Sequence, residues 1–420
     1  MLMRNSMSLK KDVTLLQAVG IFVAGILGSG ILILPSIAAN VAGESSLLAW
    51  LFMTILAAPI ALTFGYLASS YPSAGGIAEY SRRAFGKRKL WRLSIDSELT
   101  TGLMFLSVIP TAPPIVLLAG ASYLAMVLGL GEKGAICIAL IMLTAILLMN
   151  LRGVKFTGDV QLLLSVAVII LLLSITLSAL PFTSFGSFKM SKEVGKAMAL
   201  IFWCYMGWEA ATHLSEEFRN PRDFPISILL SLVVIGSIYM IVSYVVVGMH
   251  AYGEGLEGIT GLLIVAERTF GEFGRILVAI LGSMTCFASA NVYVASSSRL
   301  LYALSRRGYI PSALSKLNSR QVPHYSLIVT FSLVALTLLL MLFFGEAVEG
   351  LVLLSNSVFI TLYIVGSLAG LVLLDKKLCP AISLIVCVAI LLFVGGNILY
   401  PLAIVAIAVV YSTLRENRVN

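Results

Sequence analysis

Glu209 is an ionisable side chain inside the apolar run IFWCYMGWEAATHLSEEF, two residues after Gly207. A carboxyl withdrawn from water is expensive to keep, so such a group is a candidate for proton exchange or for pairing with a cation. A structural role stays open beside it: a hydrogen bond to a neighbouring helix, or to His213 one turn on. Trp203, Tyr205, Met206 and Trp208 surround Gly207 with aromatic and thioether surface. A second segment, GIFVAGILGSGILILPSIAANVAG, carries Gly20, Gly25, Gly28 and Gly30 within one helix length, followed by Pro35. Glycine weakens a helix, and the GSG core could let the backbone open. Open backbone in an apolar medium is tolerated where it lines a cavity. Small residues at spacing four serve close helix packing equally well.

The elements that hold these residues must be membrane spans. Of 420 residues, 59% are hydrophobic and 11% charged, against about 25% charged in soluble domains. Runs long enough for a bilayer-spanning helix recur along the whole chain. Twelve spans are expected, near 14–42, 46–70, 98–128, 135–149, 159–180, 196–214, 226–249, 272–303, 325–344, 347–373, 379–395 and 397–414. Only Gly395 and Gly396 divide the last two, so one re-entrant element could replace them. Arg4, Lys10 and Lys11 lead into the first span without a small-residue cleavage pattern, which reads as a span and not a removed signal. With the N-terminus inside, 22 of the 28 Lys and Arg fall in inside segments, among them the cluster from Arg82 to Arg92. That asymmetry predicts that both termini are cytoplasmic. The net charge of +8 is thus topological, with no nucleic-acid partner. Cys137, Cys204, Cys286, Cys379 and Cys387 lie in or beside apolar runs without CxxC spacing, so neither a disulfide frame nor a metal site is expected.

The first and sixth spans are five apart, an odd number, so they run in opposite directions. Broken helices at matching places in inverted halves point to a carrier site. The repeats would cover about 14–180 and 196–373, with 379–414 outside them. A freed helix N-terminus offers N–H groups to a carboxylate; a freed C-terminus offers carbonyls to an ammonium. An amino acid carries both groups. Gly28 and Gly30 would admit it close to the backbone, and Ser29 adds a hydroxyl.

Four stretches resemble the amino acid–polyamine–organocation carriers: GILGSGILILP at 25–35, YPSAGGIAEYSRRAFG at 71–86, FWCYMGWEAATHLSEEFRNPRDFP at 202–225 and SRLLYALSRRGYIP at 298–311. LMFLSVIPTAPP at 103–114 and the run around Gly207 are similar to exporters of methionine and branched-chain amino acids within that family. The resemblance implies an all-α polytopic fold of 12 transmembrane helices, in a 5+5 inverted repeat (LeuT-like) with helices 1 and 6 broken, forming a single transporter domain. It implies that N–H groups around Ser29 and Gly30 hold the substrate carboxylate. Carbonyls near Ile26, and those of Trp203 and Met206 beside Gly207, would hold the amine. Trp203 would act as a lid and Glu209 would respond to protons. Several relatives carry a lysine in the fifth span, where Val168 stands here. Proton coupling therefore falls to Glu209 first and Asp159 second. A sodium site would rest on backbone and on the hydroxyls of Ser283, Thr285 and Ser289.

The site region lacks basic residues, which disfavours dicarboxylic substrates; Glu209 leaves cationic ones open. Apolar pockets separate methylene homologues weakly, so overlapping acceptance of methionine, leucine, isoleucine and valine is expected; the resemblance implies export by proton antiport across an inner membrane. Uptake or exchange is the alternative. A non-transporting amino-acid sensor is more remote, since only six residues follow 414. His213, His250 and His324 form no HExxH or GxSxG motif, so no enzyme and no cofactor are expected. Oligomeric state is left open.

Overall fold

The computed structural model describes residues 9–90, 93–186, 192–253, 260–344, 348–392 and 395–419. Arg4, Arg92 and Lys189, used above for orientation, lie outside them. Helix α1 (Leu15–Leu27) starts at a capping box: the Gln17 amide donates to the Thr14 hydroxyl while the Gln17 side chain accepts from the Thr14 amide. Gly28, at φ +41°, ends it, and α2 (Gly30–Ala42) resumes after Ser29. Helix α3 (Ser46–Ser70) follows, then the short α4 (Ile77–Phe85). Strands β1 (Lys87–Leu90) and β2 (Leu93–Asp96) pair antiparallel, Lys87 opposite Asp96. This short strand pair was not foreseen; the described residues are otherwise almost entirely helical, as expected. The basic run 87–89 lies outside the apolar segments, and the pair is anchored by the Ser94 amide, which donates to Thr413 Oγ1 at 2.9 Å.

The expected third span is split into α5 (Ser97–Leu106) and α6 (Ala112–Val127). Pro110 cannot donate a helix hydrogen bond, whereas Pro113 and Pro114 sit in the first turn of α6, where none is needed. Helices α7 (Glu132–Leu151) and α8 (Val154–Ala179) meet at Gly153, φ +102°. The sixth expected span is α9 (Lys192–Ile201), a 3-10 turn at Phe202–Tyr205, a break at Met206 and Gly207, and α10 (Trp208–Thr212). Then come α11 (Asp223–Gly248), α12 (Gly261–Phe270), α13 (Glu272–Arg306), α14 (His324–Phe344), α15 (Val348–Leu373), α16 (Leu378–Leu391) and α17 (Leu399–Val419). Helix α12 was not foreseen. Among the described residues, eight helical stretches are long and apolar enough to cross a membrane, α2 and α3 together forming one; α1, α6 and α16 are shorter apolar helices. Outward faces are apolar too: Ile141 and Leu163 are each 68% exposed and Phe343 76%. Hydrocarbon is the solvent that such a surface fits.

Helix α1 packs on α8, α11 and α13, and so lies inside the bundle. The first and last described segments lie on one face. The Asp12 and Val13 amides donate to Glu217 O at 3.0 and 2.9 Å, the Arg219 amide donates to Val13 O, and Lys89 pairs with Glu416. The same face carries two charge clusters. In one, the Glu217 carboxylate takes a two-pronged bond from Arg299, Nε at 2.8 Å and Nη2 at 3.3 Å, with both side chains buried. In the other, Glu79 accepts from Arg82, Arg83 and Arg307, each at 2.6 Å, and Arg307 also reaches Glu98 at 2.8 Å. Burial works against ionisation of Glu79, but its guanidinium partners win and hold the carboxyl below the usual range.

Two outcomes are expected. A folded-state pKa below the unfolded one contributes stability above the ordinary carboxylate pKa, lost as pH falls through the depressed value. Glu79→Gln should therefore lower the melting temperature at neutral pH and flatten the acid limb of the stability profile; an unchanged acid limb would remove Glu79 from the account. Arg299→Met leaves the Glu217 carboxylate buried and unpaired, at a cost of about 3–5 kcal/mol, measurable by denaturant unfolding in detergent.

Candidate functional site

The two breaks meet. Ile26, Gly28, Ser29 and Gly30 from the first, with Trp203 and Met206 from the second, line one cavity of about 30 Å³. Ala112 and Val116 of α6, Ser289 and Tyr293 of α13, and Phe359 of α15 complete its walls. Gly207, at φ +123°, stands beside them: a Cβ there would lie 3.1 Å from Ile26 Cγ1. No Lys, Arg, Asp or Glu lines this space among the described residues. Its volume matches that of one water. A second cavity of about 440 Å³ adjoins it, lined by Val41, Lys196, Asn356 and Asn397 among others, and also by Trp203 and Met206. Those two side chains are thus the partition between a tight inner space and a wide vestibule. Trp203 is fixed edge-on against Phe359, ring centroids 6.2 Å apart.

The freed backbone is satisfied unequally. Ser289 Oγ donates to Gly25 O at 2.7 Å, and Tyr239 Oη donates to Ile26 O and Leu27 O at 3.3 Å each. The carbonyl end of α1 is therefore already capped, although each carbonyl keeps a second lone pair. At the amide end, α2 receives no side-chain cap from Ser29, and the first turn of any helix leaves N–H groups without intrahelical partners. Gly30 lines the cavity but also admits Cys204, whose Sγ would lie 2.7 Å from an added Cβ. Its missing side chain thus serves packing between α2 and the turn before the second break as well as access. Around Gly28, an added Cβ would meet Ser289 Oγ at 3.2 Å.

Behind the cavity, Glu209 is fully buried. Its carboxylate accepts from the Gly207 amide at 3.0 Å, from Tyr293 Oη at 3.2 Å and from Tyr363 Oη. The Gly207 amide also donates to Tyr363 Oη at 2.9 Å. One carboxyl therefore joins α10, α13 and α15. The expected alternative partner is corrected: the hydrogen bond of His213 goes to Ala74 O at 3.0 Å, because the loop before α4 packs over it. Asp159 is exposed on α8 and accepts from Gln17 at 2.5 Å, away from the cavity residues. Ser283 and Thr285 donate to backbone carbonyls of their own helix and, for Ser283, to Gly120 O. Val168 is buried and apolar. Tyr239, Tyr293, Tyr363, Val116 and Phe359 were not singled out from sequence. The tyrosines carried a signal, since a buried phenol needs a hydrogen-bond partner.

A model of the amino acid permease family matches residues 13–414. The chain is 31% identical, over 95% of both sequences, to the L-methionine/branched-chain amino acid exporter YjeH of Escherichia coli. The chain belongs to the amino acid permease family. It is 30% identical to the uncharacterized amino acid permease YecA of Bacillus subtilis over 96% of each chain. The human cystine/glutamate transporter shares 26% identity, over 90% of this permease and 76% of its own length. The permease is therefore a membrane protein of a transporter family within the amino acid–polyamine–organocation superfamily, not an enzyme.

The partition is testable without a substrate. In a Cys137→Ser background, Ser29→Cys should react slowly with a membrane-impermeant thiol reagent. Adding Trp203→Ala, which joins the two cavities, should speed that reaction severalfold. An unchanged rate would mean that Trp203 does not close the inner space.

Proposed function

We propose that this permease is a secondary carrier of neutral apolar amino acids, with methionine, leucine, isoleucine and valine as overlapping substrates. The observation that carries the reading is the pairing of an uncapped amide end at Ser29–Gly30 with an uncharged cavity wall of Ile26, Val116, Met206 and Phe359. A carboxylate has N–H donors waiting there, and an apolar side chain finds no charge to leave unpaired. The ammonium would share the Ile26 carbonyl with Tyr239 and take the carbonyls of Trp203 and Met206 beside Gly207. The similarity to a methionine and branched-chain exporter supports this substrate class. In the inner cavity a negatively charged side chain would meet no cation, which disfavours glutamate, one of the substrates named for the cystine/glutamate relative.

The inner space is too small for methionine, so binding has to displace the Trp203–Met206 partition, and release on the other face needs a second rearrangement. Twelve spans in a 5+5 inverted repeat, covering about 14–180 and 196–373 with 379–414 outside, supply that alternation, with both termini cytoplasmic in the inner membrane. Glu209 couples it to protons: three hydrogen bonds from three elements mean that a change in its charge is felt by α10, α13 and α15 together. The direction of net flux is outward by proton antiport, the uptake or exchange mode being the alternative.

Counterflow into proteoliposomes loaded with unlabelled methionine tests the reading. Labelled methionine should enter, with leucine, isoleucine and valine competing and glutamate not. A single missing methylene changes apolar-pocket binding by about 10–200-fold, so the four should fall within that span. An imposed pH gradient should alter the flux of the wild type and leave Glu209→Gln indifferent. A variant retaining the full pH response would transfer coupling to another group, and failure of every neutral amino acid would end the substrate assignment.

A further inference from the structure

Besides the vestibule, the described residues form another large cavity, of about 460 Å³, beside α9. It is a trough between α3, α9 and α16. Leu56 of α3, Met198 of α9 and Ile385 and Ala389 of α16 make its walls apolar, and Ile385 is 68% exposed. Lys192 and Lys196 stand at one end. They are four residues apart and share a face of α9; both are exposed, and neither forms an ion pair with another described residue. From Lys192 to Ala199 the trough descends about 10 Å along the helix, the outer third of a hydrocarbon core about 30 Å thick.

We propose that this trough is a docking site for an anionic phospholipid of the surrounding bilayer, with its headgroup on Lys192 and Lys196 and an acyl chain along α16. The chemistry is amphiphilic in the sense a lipid requires: cationic at the rim and greasy below. A second copy of the chain fits it poorly, because a symmetric contact there would set two lysine pairs against each other. Lys196, Ala199 and Ile390 line this trough and the vestibule alike. A lipid seated in it fills the room into which α9 would tilt when the vestibule widens. The assignment is independent of which amino acid the permease carries.

A lysine near a lipid surface favours anionic headgroups about fivefold, so two give about 25-fold. Native mass spectrometry of the full-length protein, incubated with equimolar phosphatidylglycerol and phosphatidylcholine, should show phosphatidylglycerol adducts dominating. The double variant Lys192→Glu and Lys196→Glu should lose that preference, whereas Lys133→Glu, a lysine outside the trough, should keep it. Ala389→Trp, which fills the trough and leaves the lysines in place, should reduce adducts of both lipids. Equal retention of the two lipids by the wild type would overturn the site. So would a preference surviving both the lysine reversal and Ala389→Trp, or a dimer that Ala389→Trp dissolves.

Discussion

A helix interrupted inside hydrocarbon exposes N–H and C=O groups that the medium cannot satisfy, and the rest of this structure answers that demand. At the first break, the answer on the carbonyl side comes from Ser289 and Tyr239, two different helices bending their hydroxyls to the same turn. At the second, the Gly207 amide is held by its own neighbour Glu209 and by Tyr363. Two walls of the inner cavity, α13 and α15, belong to the elements that supply those caps. Packing, hydrogen bonding and cavity shape are therefore set together, and the amide end of α2 is the place where the capping stops.

Charge is distributed to match. The fully buried guanidinium, Arg299, has a carboxylate in a two-pronged grip, and Glu79 has three guanidiniums. Both clusters lie on the face that bears the first and last described segments. Among the described residues Glu209 is the carboxyl set behind the inner cavity, and its bonds come from neutral donors. A carboxyl tied to phenols and an amide can change its protonation without leaving a stranded cation behind, which a salt-bridged one could not do.

Much of this was legible in the chain. Glycines at 28 and 30 and at 207 marked the breaks because helices disfavour glycine, and the breaks are where those residues sit, whereas Gly20 and Gly25 lie inside α1 and serve close packing against Leu162 and Val292. Hydrophobic length located most helices within a few residues. Proline at 110 lies where the expected third span divides. What stayed hidden depends on distance in sequence. Nothing near Glu209 announces Tyr363, 154 residues away, and Tyr239 differs from any other tyrosine only by what lies opposite. Gly30 looked like a residue open to a ligand; its packing against Cys204 could be seen only once the two segments were brought together. The strand pair 87–90 and 93–96 escaped because its anchor, Thr413, lies more than 300 residues further along the sequence.

Glu217 has a further significance. Its backbone carbonyl receives the Asp12 and Val13 amides, Val13 in turn receives the Arg219 amide, and its side chain grips Arg299. The strand-like bridge between Val13 and Phe218 thus yokes the lead-in of α1 to the segment leaving α10. The two broken helices are thus tied at one end by main-chain hydrogen bonds, so moving one without the other costs those bonds, and the tie is fastened to α13 through the Glu217–Arg299 pair.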